Sequence, residues 1–220
     1  MGYWLVKALF SPFLWLVWRV KARNRRHIPR HGGVLLAANH QAFCDSLFLP
    51  LVVLRRKVAF LAKAEYFDDR RSAWFFRLAG QIPIRRGGGS ASERAMATAL
   101  EVLSQGKVIG LYPEGTRSLD EYVHKGKTGV ARMALASGCP VVPVGIRGTA
   151  EVQPVGQNLM SPFKRVEVRF GEPMRITVAD VEAAGSEFEA LRSFTDELMQ
   201  AIALLSGRPY IDEYIAAKQR

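Results

Sequence analysis

The sequence predicts an α/β fold: a single layered domain with a largely parallel central sheet flanked by helices, preceded by an apolar helical segment at the N-terminus. Three features lead there. Apolar runs of strand length alternate along the chain with stretches whose apolar residues recur every three or four positions, the alternation that builds parallel sheets. A chain of 220 residues with 49% apolar content can bury one sizeable core. Residues 1–20 stand apart from this pattern, being almost continuously apolar.

That opening stretch, MGYWLVKALFSPFLWLVWRV, carries Trp4, Trp15 and Trp18 and is split into two short halves by Lys7 and Ser11-Pro12. Arg19 lies near its end, and Lys21, Arg23, Arg25, Arg26 and Arg30 follow it. A secretory signal places its charge before the apolar run and small residues after it, so this segment is expected to be retained. A membrane span needs about 20 apolar residues, which the stretch barely reaches. A kinked helix lying in the membrane interface uses the tryptophans and the basic flank directly. Residues 1–25 are accordingly assigned as a membrane-docking segment and 26–220 as the main domain.

The elements follow in order. Val34 to Ala38 reads as a buried strand, Ser46 to Leu54 as a helix and Lys57 to Leu61 as a second strand. Ser72 to Ala79 is a helix and Ile82 to Arg85 a short strand; Gly87-Gly88-Gly89 is a turn, and Ser90 with Glu93 is a capping box opening a helix that ends near Gly106. Lys107 to Tyr112 is a strand, Gly129 to Ser137 a helix stopped by Gly138, and Val141 to Ile146 a strand. Val166, Val168 and Phe170 alternate with charged residues as a half-buried strand should. Phe188, Leu191, Phe194, Leu198, Ile202 and Leu205 define one face of a long helix, opened by Ser186 and Glu189 and stopped by Gly207.

Charge and cysteine content narrow the function. Lys and Arg number 31 against 20 Asp and Glu, a net +11 that calls for an anionic partner. Nucleic acid is disfavoured, because the densest basic run follows the Trp-rich segment and no RNA-binding signature is present. An anionic membrane surface fits better. Cys44 and Cys139 form no CxxC, which argues against a disulfide framework or thiolate metal site and fits a reducing compartment.

Two motifs carry chemistry, each where a strand runs out. Asn39-His40-Gln41-Ala42-Phe43-Cys44-Asp45 separates a His and an Asp by five residues, which on a continuous helix point about 140° apart. A loop His facing an Asp at the following helix start is different: the carboxylate holds one imidazole nitrogen while the other takes a proton from a hydroxyl. The second motif is Tyr112-Pro113-Glu114-Gly115-Thr116-Arg117-Ser118. Arg117 offers a planar fork of donors suited to a phosphate, and Gly115 lets backbone N–H groups approach an anion. Glu114 is expected to position that arginine or its loop.

Together these motifs resemble the HxxxxD and EGTR blocks of the glycerophospholipid acyltransferases, the 1-acylglycerol-3-phosphate acyltransferase family. Gly80-Gln81-Ile82-Pro83-Ile84-Arg85-Arg86 resembles the family's block around a substrate-binding arginine, matching Arg86, and Val141-Val142-Pro143-Val144-Gly145 resembles its proline-containing block. The resemblance runs from about residue 26 to residue 173. It implies that His40 deprotonates a glycerol hydroxyl, that Asp45 orients His40, and that Arg117, Arg86 and Lys63 hold the acceptor phosphate in a pocket shaped by Glu114, Gly115 and Thr116. The implied reaction moves a fatty acyl group from acyl-CoA or acyl carrier protein to the free hydroxyl, sn-2 by expectation, of lysophosphatidic acid. It forms phosphatidic acid for phospholipid biosynthesis without a covalent acyl-enzyme. No tightly bound cofactor and no metal is implied, and the expected location is the cytoplasmic face of the plasma membrane. The chain departs from the pattern at Pro83, where an aromatic residue is common, and at Cys44, where a small residue is usual; a packing role is expected for Cys44.

Other motifs are weaker. Gly126-Lys127-Thr128 copies the tail of a phosphate-binding loop, but its required earlier glycine would fall at Glu121. Lys125 and Lys127 are expected to face lipid or carrier phosphates instead. His27 and His31 have a helical metal-ligand spacing, but Pro29 lies between them. No GxSxG elbow is present to supply a serine nucleophile.

Overall fold

A computed structural model describes residues 2–68, 73–74, 76–77, 81–84 and 89–216. Among them, seven strands form one sheet in the order β1-β8-β7-β2-β5-β3-β4. These are β1 (Lys21–Arg23), β2 (Val34–Ala38), β3 (Val58–Lys63), β4 (Ile82–Ile84), β5 (Val108–Leu111), β7 (Val141–Arg147) and β8 (Glu167–Phe170). A small parallel pair, β6 (Val123–His124) with β9 (Tyr210–Ile211), stands beside it. The sheet is parallel throughout except where β8 runs antiparallel to β7. The α/β layered architecture expected from the alternation is the one observed.

The continuous apolar run Val34 to Ala38 is explained by what covers it. Val34, Leu36 and Ala38 point into one core layer, Leu35 and Ala37 into the other, and all five are fully buried. A central parallel strand buried on both faces has no polar side to show. One layer is closed by Leu14 and Trp18 from the N-terminal helix (Gly2–Trp18) and by Phe48 and Leu49 from the helix Asp45–Val52. The other is closed by Leu103, Ala134, Leu198 and Ile202 from the helices Gly89–Ser104, Gly129–Ser137 and Glu187–Ser206. The last of these crosses β7 so closely that a Cβ on Gly145 would lie 2.3 Å from the Leu205 carbonyl carbon and the Ser206 nitrogen. Only glycine fits that crossing.

Several expectations shift. The N-terminal apolar stretch is one helix with Pro12 inside it, not two halves. Pro12 is tolerated there because the chain around it is still within reach of solvent on its outer side. The tryptophans do not act together: Trp18 is buried, donates from Nε1 to the Ser161 carbonyl at 2.8 Å and packs edge-on against Phe48, while Trp15 is half-buried beneath Arg25. Leu14, Trp18 and Val20 are core residues, and β1 pairs with β8. The chain from Leu14 onward is therefore built into the layered fold. The helix expected from Ser90 is present over Gly89–Ser104. Half of the helix expected over 72–79, and Arg85 with the Gly87 to Gly88 part of the turn, lie outside the described residues; 73–74 and 76–77 are helical.

Candidate active site

The carboxyl ends of the parallel strands gather the motifs. β2 lies between β5 and β7, so the loops leaving β2 and β5 emerge side by side, the usual place for a site in an open α/β sheet. Asn39 fixes the first loop as it leaves the sheet. Its side-chain amide continues the β2–β7 pairing, accepting from the Ile146 N–H at 2.7 Å and donating to the Ile146 carbonyl at 3.0 Å.

His40 and Asp45 meet as the spacing required, with His40 in the loop and Asp45 at the first residue of the helix Asp45–Val52. His40 Nδ1 lies 2.9 Å from Asp45 Oδ2, and the same oxygen accepts from the Gln41 N–H at 2.7 Å and the Ala42 N–H at 2.9 Å. Asp45 is fully buried at a helix N-terminus, where the helix dipole favours its negative charge. With the carboxylate accepting from Nδ1–H, the lone pair of a neutral imidazole falls on Nε2. Nε2 has no hydrogen-bond partner among the described residues, and the His40 side chain remains 17% exposed. This arrangement orients the His40 ring and leaves Nε2 open.

Sequence reasoning gave Tyr112 no role, yet its ring stacks on the His40 ring with centroids 3.9 Å apart and planes 11° from parallel. Phe60 stacks on its other side at 5.5 Å, and its hydroxyl shares a 2.9 Å hydrogen bond with Ser46 Oγ, one residue beyond Asp45. Burial raises the Tyr112 phenol well above its ordinary pKa, so it stays neutral. The helix that holds Asp45 therefore also anchors the ring that holds His40. The only sequence signal was an aromatic directly before the Pro-Glu-Gly-Thr-Arg motif.

Glu114 is turned into the fold and away from the exposed turn that follows it. It is 3% exposed, and its carboxylate accepts from the backbone N–H of His40 at 3.1 Å and of His124 at 3.3 Å. Burial pushes its carboxyl up to about 7, against the pull of those two N–H groups. Its place is to brace the two loops, aided by the Ser118 N–H bonding to the His40 carbonyl at 2.7 Å. Gly115, Thr116 and Arg117 between them are exposed, on a turn where Gly115 adopts φ +78°. A Cβ on Gly115 would lie 3.1 Å from Lys127 Nζ, so Lys127 joins Arg117 at this turn. Lys63 ends β3. Arg86 lies outside the described residues. Cys44 is buried and donates from its N–H to Gln153 Oε1. Burial pushes its thiol up to about 12, which suits packing and not nucleophilic attack.

The N-terminal helix forms a second surface. Leu5, Leu9, Phe10, Phe13 and Leu16 are between 52% and 78% exposed, an apolar stripe along one side of the helix. Lys7, which broke the apolar run in sequence, turns inward and donates to the carbonyls of Pro50 and Val53, capping the end of the helix that begins with Asp45. Burial lowers its pKa to about 8, with Arg25 adding repulsion. No helix among the described residues is long and apolar enough to cross a membrane.

Comparison with known proteins is consistent with this geometry. The family model described as Acyltransferase matches residues 19–147. The 1-acyl-sn-glycerol-3-phosphate acyltransferase of Bacillus subtilis is 26% identical over 190 residues, covering 86% of this chain and 89% of that protein. The enzyme of the same name from Streptococcus pneumoniae is 26% identical, covering 85% and 67%. The crystal structure of the 1-acyl-sn-glycerophosphate (LPA) acyltransferase PlsC from Thermotoga maritima superposes with a TM-score of 0.70 at 28% identity, covering 92% of this chain and 79% of that one.

Proposed function

Because the chain belongs to the Acyltransferase family, we propose that it transfers a fatty acyl group from acyl-CoA or acyl carrier protein to the free sn-2 hydroxyl of 1-acylglycerol 3-phosphate, forming phosphatidic acid. The observation that carries the mechanism is the buried Asp45 holding His40 Nδ1 while Nε2 stays open. His40 Nε2 takes the proton of the acceptor hydroxyl as its oxygen attacks the thioester carbonyl. The new C–O bond forms, the C–S bond breaks, and the proton passes from His40 to the departing thiolate. Asp45 stabilises the transient imidazolium. The names of the relatives in Bacillus subtilis and Streptococcus pneumoniae support a phosphate-bearing acceptor.

Arg117 is the exposed cation placed one residue from the loop contact to His40, with Lys63, Lys127 and Arg86 as further phosphate contacts. Glu114 keeps the turn in place, and Gly115 and Thr116 expose it to the substrate. The stripe of Leu5, Leu9, Phe13 and Leu16 seats the protein on an anionic lipid surface, where both substrate and product reside. The cytoplasmic face is the expected side, since thioester donors of this class are made there. Purified protein assayed on a panel of lysophosphatidic acid, other lysophospholipids and glycerol 3-phosphate tests the acceptor, with product regiochemistry read in the same experiment. Acylation of lysophosphatidic acid at sn-2 is expected; turnover only on another acceptor overturns the assignment.

A further inference from the structure

A cavity of about 300 Å³ opens at the end of the sheet opposite His40, at the low end of the range of about 300 to 1,000 Å³ for small-molecule sites. Its walls come from the segments entering β2, β3 and β5, whereas His40 and Tyr112 lie on the segments leaving β2 and β5. The lining residues include Arg30, Arg55, Arg56, Lys57 and Lys107, with Trp4 at the rim, and among the described residues no Asp or Glu lines it. We infer that this cavity binds the phosphate of an anionic membrane lipid headgroup. The inference rests on the membrane-docking reading of the N-terminal helix and places a specific site beside it.

Arg56 makes the floor. Its guanidinium donates to the carbonyls of Pro29, Gly32 and Gly106, pinning three loops together at the cavity. All three acceptors are neutral, so the charge is fixed in place but not balanced. Burial lowers the Arg56 pKa, a cost that an incoming anion relieves. Arg30, Arg55, Lys57 and Lys107 are exposed around it. Lys57 Nζ also lies 5.1 Å from the Tyr3 ring, and Lys107 Nζ donates to Gln105. Gathering five permanent cations around one cavity without a carboxylate is unfavourable until a polyanion enters.

Trp4 selects a lipid over a free ion. It is 44% exposed and lies on the same helix as Leu5, Leu9, Phe13 and Leu16, so the cavity and the apolar stripe share one element. Tryptophan settles at headgroup depth in a bilayer, the level at which lipid phosphates lie. A protein seated on the stripe presents the cavity to that layer. The result is a second lipid contact remote from the acceptor pocket.

The test uses the full chain and vesicles of phosphatidylcholine with or without phosphatidylglycerol. Arg55→Gln with Lys57→Gln is compared with Arg132→Gln and Arg175→Gln, a pair that removes equal charge elsewhere. At about 1 kcal/mol for each basic residue at an anionic surface, the cavity variant should bind phosphatidylglycerol vesicles roughly tenfold or more weakly. It should bind neutral vesicles as before and turn over a short-chain soluble acceptor unchanged. Equal losses in both charge pairs would overturn the site, leaving only diffuse attraction. Thermal stabilisation by inorganic phosphate alone, abolished in the cavity variant, would overturn the lipid assignment in favour of a free-anion site. Leu9→Asp with Phe13→Asp checks the underlying docking separately: it should lose binding to neutral vesicles, and retained binding there sinks the docking reading itself.

Discussion

His40 with Asp45 and His124 with Asp120 both meet at 2.9 Å, five and four residues apart, but the two pairs share little else. Asp45 is fully buried and gives one oxygen to three N–H groups, while the Asp120 side chain is 49% exposed. His40 keeps Nε2 open; His124 has both nitrogens engaged, Nε2 with Asp120 and Nδ1 with the Glu213 carbonyl at 3.2 Å. His40 lies flat against Tyr112, and no aromatic ring is found stacked on His124 among the described residues. The contact alone therefore does not make a base. The proposed base role of His40 rests on a free second nitrogen, a carboxylate shielded from water and a ring held in plane, and only the first pair has all three.

The largest expected effect separates the pairs directly. His40→Ala should lower turnover by roughly 10² to 10⁴, the usual worth of general-base assistance, whereas His124→Ala should leave turnover within a few-fold and act mainly on stability. Steady-state rates on lysophosphatidic acid, with vesicle binding as a folding control, read both variants. Comparable losses from the two would break the distinction.

A smaller effect sharpens the part played by the stacked ring. An aromatic face opposite a desolvated cation contributes about 0.5 to 2 kcal/mol, and about 1.4 kcal/mol is a factor of ten in rate. Tyr112→Leu should therefore slow turnover roughly tenfold. Tyr112→Phe keeps the ring and loses only the Ser46 bond, so it should restore most of the rate. A Phe variant as slow as the Leu variant would rule out the ring contact as the cause.

A further effect, read in stability and not in rate, concerns Glu114, which touches the backbone of both histidines. Its folded-state carboxyl stands at about 7, above the ordinary 4.5, chiefly because it is buried. The stability linked to it is fully present below about 4.5 and lost as pH rises through about 7. A shift of this size corresponds to about 3 kcal/mol. Between about pH 5 and pH 8, the wild type should lose stability relative to Glu114→Gln by up to that amount in urea unfolding. Parallel pH dependence in both proteins would show that Glu114 is not the group responsible.

Parts of this site were legible because their chemistry is local. Strand ends are visible as apolar runs stopping at Ala38 and Tyr112, and a His five residues before an Asp can cooperate only across a loop-to-helix junction. The turn at Gly115 was legible for the same reason. A loop-positioning part for Glu114 was legible too, but not which loops, because its two partners lie 74 and 10 residues away in sequence. Tyr112 and Phe60 were invisible as a stack, since their neighbours β5 and β3 come together only through the sheet order. Lys7 interrupts the apolar run in sequence without saying where it points; the free carbonyls ending the Asp45–Val52 helix draw it inward.

Periodicity, turn residues and motif spacing by themselves determined the α/β layering, the strand ends that bear the chemistry and the His40–Asp45 pairing, because each depends on residues close in the chain. Only the tertiary structure decided that His40 rests on Tyr112, that Glu114 braces two loops, that Trp18 faces the core while Trp4 faces out, and that five cations converge at the far end of the sheet. Those outcomes depend on which strands become neighbours, and that is fixed by the burial of both faces of the sheet at once.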